Sequence, residues 1–133
     1  MTEHEEQAAV ITWTDAHILE LPCLDWLYAI PNGIPLPGNA KTRARIINHM
    51  KAEGMKPGVP DLFLPFPARE YHGMFIEMKK DASGKPSEGQ VEFIDYANSV
   101  GYHCEVCGGR QAAIDALKWY LDFECNCPHC QML

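Results

Sequence analysis

The apolar positions of this chain follow two periods, three to four residues in some segments and two in others, and the changes between them divide it into elements. Ala9, Val10, Trp13, Ala16 and His17 recur at helical spacing. Thr2, followed three residues on by Glu5, has the form of a capping box, so a helix is predicted from there to about Leu19. "LDWLYAIPNG" predicts a short strand that ends in a turn at Pro31, Asn32 and Gly33. "KTRARIINHMKAEG" predicts a basic helix with Gly54 as its stop. Two extended runs follow, "DLFLPF" and "MFIEMKK", with "PAREYHG" between them, a length suited to a hairpin. After the loop "DASGKP", Ser87 and Gln90 form a second capping-box pattern that opens a helix to about Val100, with Ile94 and Ala97 on the side of Gln90. "YHCEVC" reads as a strand and "RQAAIDALKWYLDF" as a closing helix. Helices alternating with strands in this order predict an α/β fold around a mixed sheet.

The chain has 133 residues, enough for one domain, and the abrupt change of composition at "CNCPHCQML" divides it into a domain over 1–123 and a Cys-rich tail over 124–133. No apolar run approaches the length of a membrane helix, and "MTEHEEQ" lacks the basic start and apolar stretch of a secretory signal, so a cytosolic location is expected. The net charge of −7 argues against nucleic acid until its distribution is considered. Nine of the 11 basic residues lie between Lys41 and Lys85 against five acids, so that segment carries +4 and its flanks −11. Lys41, Arg43, Arg45, Lys51 and Lys80 are the candidates for phosphate contact; as a bland alternative, a basic helix is a solvated face.

The strand-like runs carry charge where a buried strand usually has none. Alternation sends Phe75, Glu77 and Lys79 to one face and Met74, Ile76 and Met78 to the other. If the two runs pair, Asp61 comes against Glu77. Two carboxylates that close repel, and burying them unpaired is costly. A strand salt bridge, with Asp61 a turn residue after Pro60, is the ordinary explanation. A divalent cation is the other: Mg²⁺ takes oxygen ligands, lowers the pKa of a bound water and offsets charge on a phosphodiester, and Lys79 would steady the developing charge.

"PD" at 60–61 and "EMK" at 77–79 resemble the PD-(D/E)xK nuclease signature. With Gly58, the "IPNG" run, Gln90 and "SEGQVEFIDYANSVGYHCEVCGG", the chain from about Glu3 to Leu121 resembles the VRR-NUC branch of that superfamily. The resemblance implies an α-β-β-β-α-β core and a Mg²⁺- or Mn²⁺-dependent DNA endonuclease. Asp61, Glu77 and the Met78 backbone carbonyl would hold the metal, Lys79 would serve catalysis, and Gln90 would sit beside the lysine. An acid on the first helix would complete the site. Glu6 is the first choice, by its register with Val10 and Trp13; Glu3 shares that face and Glu5 is adjacent. Short stand-alone members of this type, virus-like in architecture, resemble homodimeric resolvases of four-way (Holliday) junctions, which implies branched DNA as substrate and a viral or phage source in a host cytoplasm.

The rival readings are a nicking or end-processing nuclease on the same fold, and a non-catalytic DNA-binding or zinc-tail adaptor. Cys104 and Cys107 stand three apart on a strand, so their side chains leave opposite faces and core packing is expected rather than chelation. Cys125, Cys127 and Cys130, with His129 among them, would hold Zn²⁺ given a fourth ligand from elsewhere. Trp13, Trp26 and Trp119 are expected in the core. His17, His49, His72 and His103 show no ligand spacing.

Overall fold

The computed structural model describes residues 1–31 and 35–123. The first helix, α1, spans Glu3–Ala16 behind the Thr2–Glu5 capping box. It stops short of Leu19 for a local reason. The His17 amide turns to the Thr14 carbonyl, and the His17 imidazole Nδ1 takes its place on the Trp13 carbonyl at 2.7 Å, which closes the last turn. The expected strand in "LDWLYAIPNG" is mostly something else. Pro22–Trp26 is a 3₁₀ helix with proline at its start, which leaves only Tyr28–Ala29 as strand β1; Asn32 and Gly33 lie outside the described residues.

Helix α2 spans Ala40–Ala52, capped by Asn39, and it buries no residue. Strands β2 (Leu62–Leu64) and β3 (Met74–Lys79) pair antiparallel. Their connection is fastened by the Tyr120 hydroxyl, which accepts from the Ala68 amide and donates to the Phe66 carbonyl. Helix α3 (Glu88–Ser99) starts at the Ser87–Gln90 capping box and carries the chain over to β4 (His103–Gly108), parallel to β3. Helix α4 spans Arg110–Tyr120. The sheet is mixed, in the order β1-β2-β3-β4.

The alternation along β3 decides what covers each face. Met74, Ile76 and Met78 are fully buried with Val10 and Trp13 of α1 and Ala113, Ile114 and Leu117 of α4, which form the main core. Phe75 points the other way, to Phe93 of α3 at 5.1 Å between ring centres. Of the three tryptophans only Trp13 is core. Trp26 is 70% exposed, and Trp119 lies at the surface under the Arg69 guanidinium. Cys104 and Cys107 are both buried free thiols, and burial first of all pushes each up to about 12, which leaves them unreactive. No helix among the described residues is long and apolar enough to cross a membrane.

Candidate active site at the ends of the central strands

The antiparallel register pairs Leu62 with Ile76, and one further step sets Asp61 opposite Glu77. Asp61 is held there by a hydrogen bond from the Met78 amide to its Oδ2 at 2.7 Å, and the Ile30 amide donates to its backbone carbonyl. Glu77 is 2% exposed. Burial, above all, and then the hydrogen bond and charge of Asp61 raise its pKa to about 8; Lys79 works in the opposite direction. The Lys79 Nζ lies 3.7 Å from Glu77 Oε2 and donates to Gln90 Oε1 at 3.1 Å. That same Gln90 oxygen accepts from the Ser87 amide, so the capping box of α3 also orients the side chain that holds the lysine.

The third acid of the group is Glu3. Its carboxylate and those of Asp61 and Glu77 have oxygens within 4.8 Å of one another. Glu6, the first choice from the sequence, is elsewhere. Its Oε2 accepts from the Arg110 Nε at 2.7 Å and the Arg110 amide at 3.2 Å, and this partner holds its carboxyl below the usual range. Residues 3 and 6 share a helix face, but the acid nearer the helix start is the one whose oxygens meet those of Asp61 and Glu77. Glu5 is occupied in the capping box.

These side chains line a cleft of about 450 Å³. Glu3, Asp61, Glu77 and Gln90 lie on one side; Ile47, Met50 and Lys51 of α2, with Met55 and Val59, form the other. Gly58 also lines the cleft. It adopts φ +92°, and a Cβ there would come within 2.6 Å of the Gly89 carbonyl, so only glycine lets the 55–60 loop lie against the start of α3. Lys41, Arg43, Arg45 and Lys51 are exposed along α2, and Lys80 is exposed just beyond β3. The apolar lining from α2 was missed in the sequence, where only the charge of that helix stood out. Cys125, Cys127, Cys130 and the zinc expectation lie outside the described residues.

In donor chemistry the cleft offers carboxylate oxygens gathered around a nearly buried glutamate, with one ammonium at their edge. Such a set fits a hard divalent cation: a proton or an ion must relieve the repulsion, and oxygen donors suit hard cations better than softer metals. The family model for the VRR-NUC domain matches residues 1–111. No protein of curated function matches the chain. A solved structure described as a "VRR_NUC domain protein" is similar over 92% of this chain and 90% of its own, with 27% identity and a TM-score of 0.77.

Proposed function

Since the chain belongs to the VRR-NUC domain family, with a PD-(D/E)xK fold and a nuclease-type role in DNA processing, we propose that it is a metal-dependent endonuclease that cuts branched DNA, four-way junctions among its substrates, as a homodimer. The observation that carries the reading is the meeting of Glu3, Asp61 and Glu77 beside Lys79. Glu3, Asp61, Glu77 and the Met78 carbonyl would hold Mg²⁺ or Mn²⁺. When bound, such an ion supplies charge for the phosphodiester and makes water a better nucleophile.

The protein's own groups do the rest. Lys79, drawn to its place by Gln90 and Glu77, brings a cation to the oxygen on which charge develops. Glu77, whose proton burial favours, would have to be deprotonated to serve as a ligand. The exposed Lys41, Arg43, Arg45, Lys51 and Lys80 offer contacts to phosphates on either side of the cut. A two-fold dimer would present two such clefts to two strands, as symmetric cutting requires. A binding module without catalysis has no use for three acids where phosphates approach, which counts against the adaptor reading.

The test is cleavage of four-way junction, flap, single-stranded and linear duplex DNA in Mg²⁺ or Mn²⁺, with the mass of the protein measured in solution. Cutting confined to the branched substrates by a dimer supports the proposal. Equal cutting of all four supports a general nicking or end-processing nuclease, and binding without cutting in either metal supports the adaptor.

A further inference from the structure

The Glu6–Arg110 contact lies outside the acid group, and the reaction proposed above gives it no part. Its placement says more than an ordinary surface ion pair would. Helix α4 begins after Gly109, at φ +95°, and has no side-chain cap, so its first amides need an acceptor from another part of the chain. Glu6 of α1 is that acceptor. One oxygen, Oε2, takes both the Arg110 amide at 3.2 Å and the Arg110 Nε at 2.7 Å, with the Glu6 side chain 13% and the Arg110 side chain 27% exposed. On its other side the same turn is tied to the catalytic strand, because the Gly109 amide donates to the Lys79 carbonyl at 2.9 Å. The start of α4 therefore links the end of β3 to α1.

Glu3 stands one helical turn before Glu6 on the same face, at the first position of α1. Helix ends fray, and Glu3 is exposed, with the buried core of α1 beginning only at Val10. The Thr2–Glu5 capping box closes this turn upon itself, and Glu6, between Glu3 and Val10, ties it to α4. We infer that Glu6 and Arg110 are a positioning pair, which fixes the first turn of α1 so that the Glu3 carboxylate completes the acid group with Asp61 and Glu77. The inference rests on the metal-binding reading above. Arg110 bonds to Glu6 and to none of Glu3, Asp61 or Glu77; it acts through Glu6 on the place of Glu3.

The test is Mn²⁺ affinity, measured by calorimetry on metal-free protein without DNA. The wild type, Arg110→Ala, Glu3→Gln and the double variant make one cycle. Arg110→Ala is expected to weaken Mn²⁺ binding about 10-fold or more, in the range seen when the groups that orient a ligand are removed. In the Arg110→Ala background, Glu3→Gln is expected to add little, because Glu3 has already lost its place. A merely structural pair would lower the melting temperature and leave this coupling at zero. If Arg110→Ala does not fold, Glu6→Gln carries the same cycle, since its amide oxygen still caps α4 while the charge pairing is lost; a smaller weakening, again coupled to Glu3→Gln, is expected. Wild-type affinity in the folded variants, or effects that simply add, overturns the pairing alone. A wild type that binds no Mn²⁺ overturns the metal reading, and the pairing with it.

Discussion

On one side of the cleft, β3 is packed against α1 and α4 through Val10, Trp13, Ile76, Met78, Ile114 and Leu117, all fully buried, and its acids stand on that support. On the other side, α2 contributes Ile47, Met50 and Lys51 to the lining and buries nothing. The difference matches two tasks. Gathering carboxylates against their own repulsion needs side chains fixed by packing, since a displacement of about 1 Å can cost on the order of 100-fold in rate. Meeting a bulky, variable DNA backbone needs charge that can adapt, and long basic side chains on a lightly held helix provide it.

The largest expected effect lies on the rigid side. Asp61→Asn or Lys79→Ala should lower cleavage by about 10³-fold or more while leaving DNA binding within a few-fold, as read by single-turnover kinetics and a binding titration with the same junction. A comparable loss of binding would erase the distinction between the two walls. Stability gives the next contrast. Ile76→Ala or Leu117→Ala should cost about 2–5 kcal/mol in urea unfolding, whereas Ile47→Ala or Met50→Ala in α2 should cost about 1 kcal/mol or less. Equal costs would mean that α2 is as firmly built in as the sheet.

Acidity sharpens the same point. Glu77 binds its proton in the folded protein up to about pH 8, well above the ordinary carboxylate value of 4.5 that it regains on unfolding. Between those values the folded state holds the extra proton, so the contribution of Glu77 to stability is fully present below 4.5 and is lost as pH rises toward 8. Metal-free protein should therefore melt at lower temperature at the alkaline end of that window, and added Mg²⁺ should stabilise it most there, because ion and proton compete for the same oxygens. Melting scans in chelator and in Mg²⁺ across the window check both statements; a metal-free protein that gains stability there contradicts them. The smallest effects belong to α2. Arg43→Ala, Arg45→Ala or Lys51→Ala should each weaken DNA binding a few-fold and reduce the slope of affinity against salt by about 1, with kcat unchanged.

The α/β order and the row that sets Asp61 beside Glu77 were legible because both follow from the two-residue period of the strands, which local sequence carries directly. The choice between Glu3 and Glu6 was not. Both lie on one helix face, and what separates them is Arg110, 104 residues away, whose role depends on how α4 docks. The one hint was a helix opening after two glycines, Gly108 and Gly109, with no side-chain cap of its own. Likewise the short β1 reflects the 3₁₀ helix that Pro22 starts and that takes up Leu24–Trp26 of the expected strand, and the early end of α1 reflects the His17 ring taking the Trp13 carbonyl. Trp26 and Trp119 were expected inside because bulky apolar residues usually are; Trp26 ends the 3₁₀ helix and Trp119 lies on α4, and both side chains face outward.

The account depends most on where a metal sits. Crystals grown with Mn²⁺ and measured at a wavelength where manganese scatters anomalously should give one strong peak per chain, bounded by the carboxylates of Glu3, Asp61 and Glu77 with Lys79 alongside. A peak on Glu6, a peak away from the β2 and β3 ends, or no peak at all at saturating Mn²⁺ would contradict it.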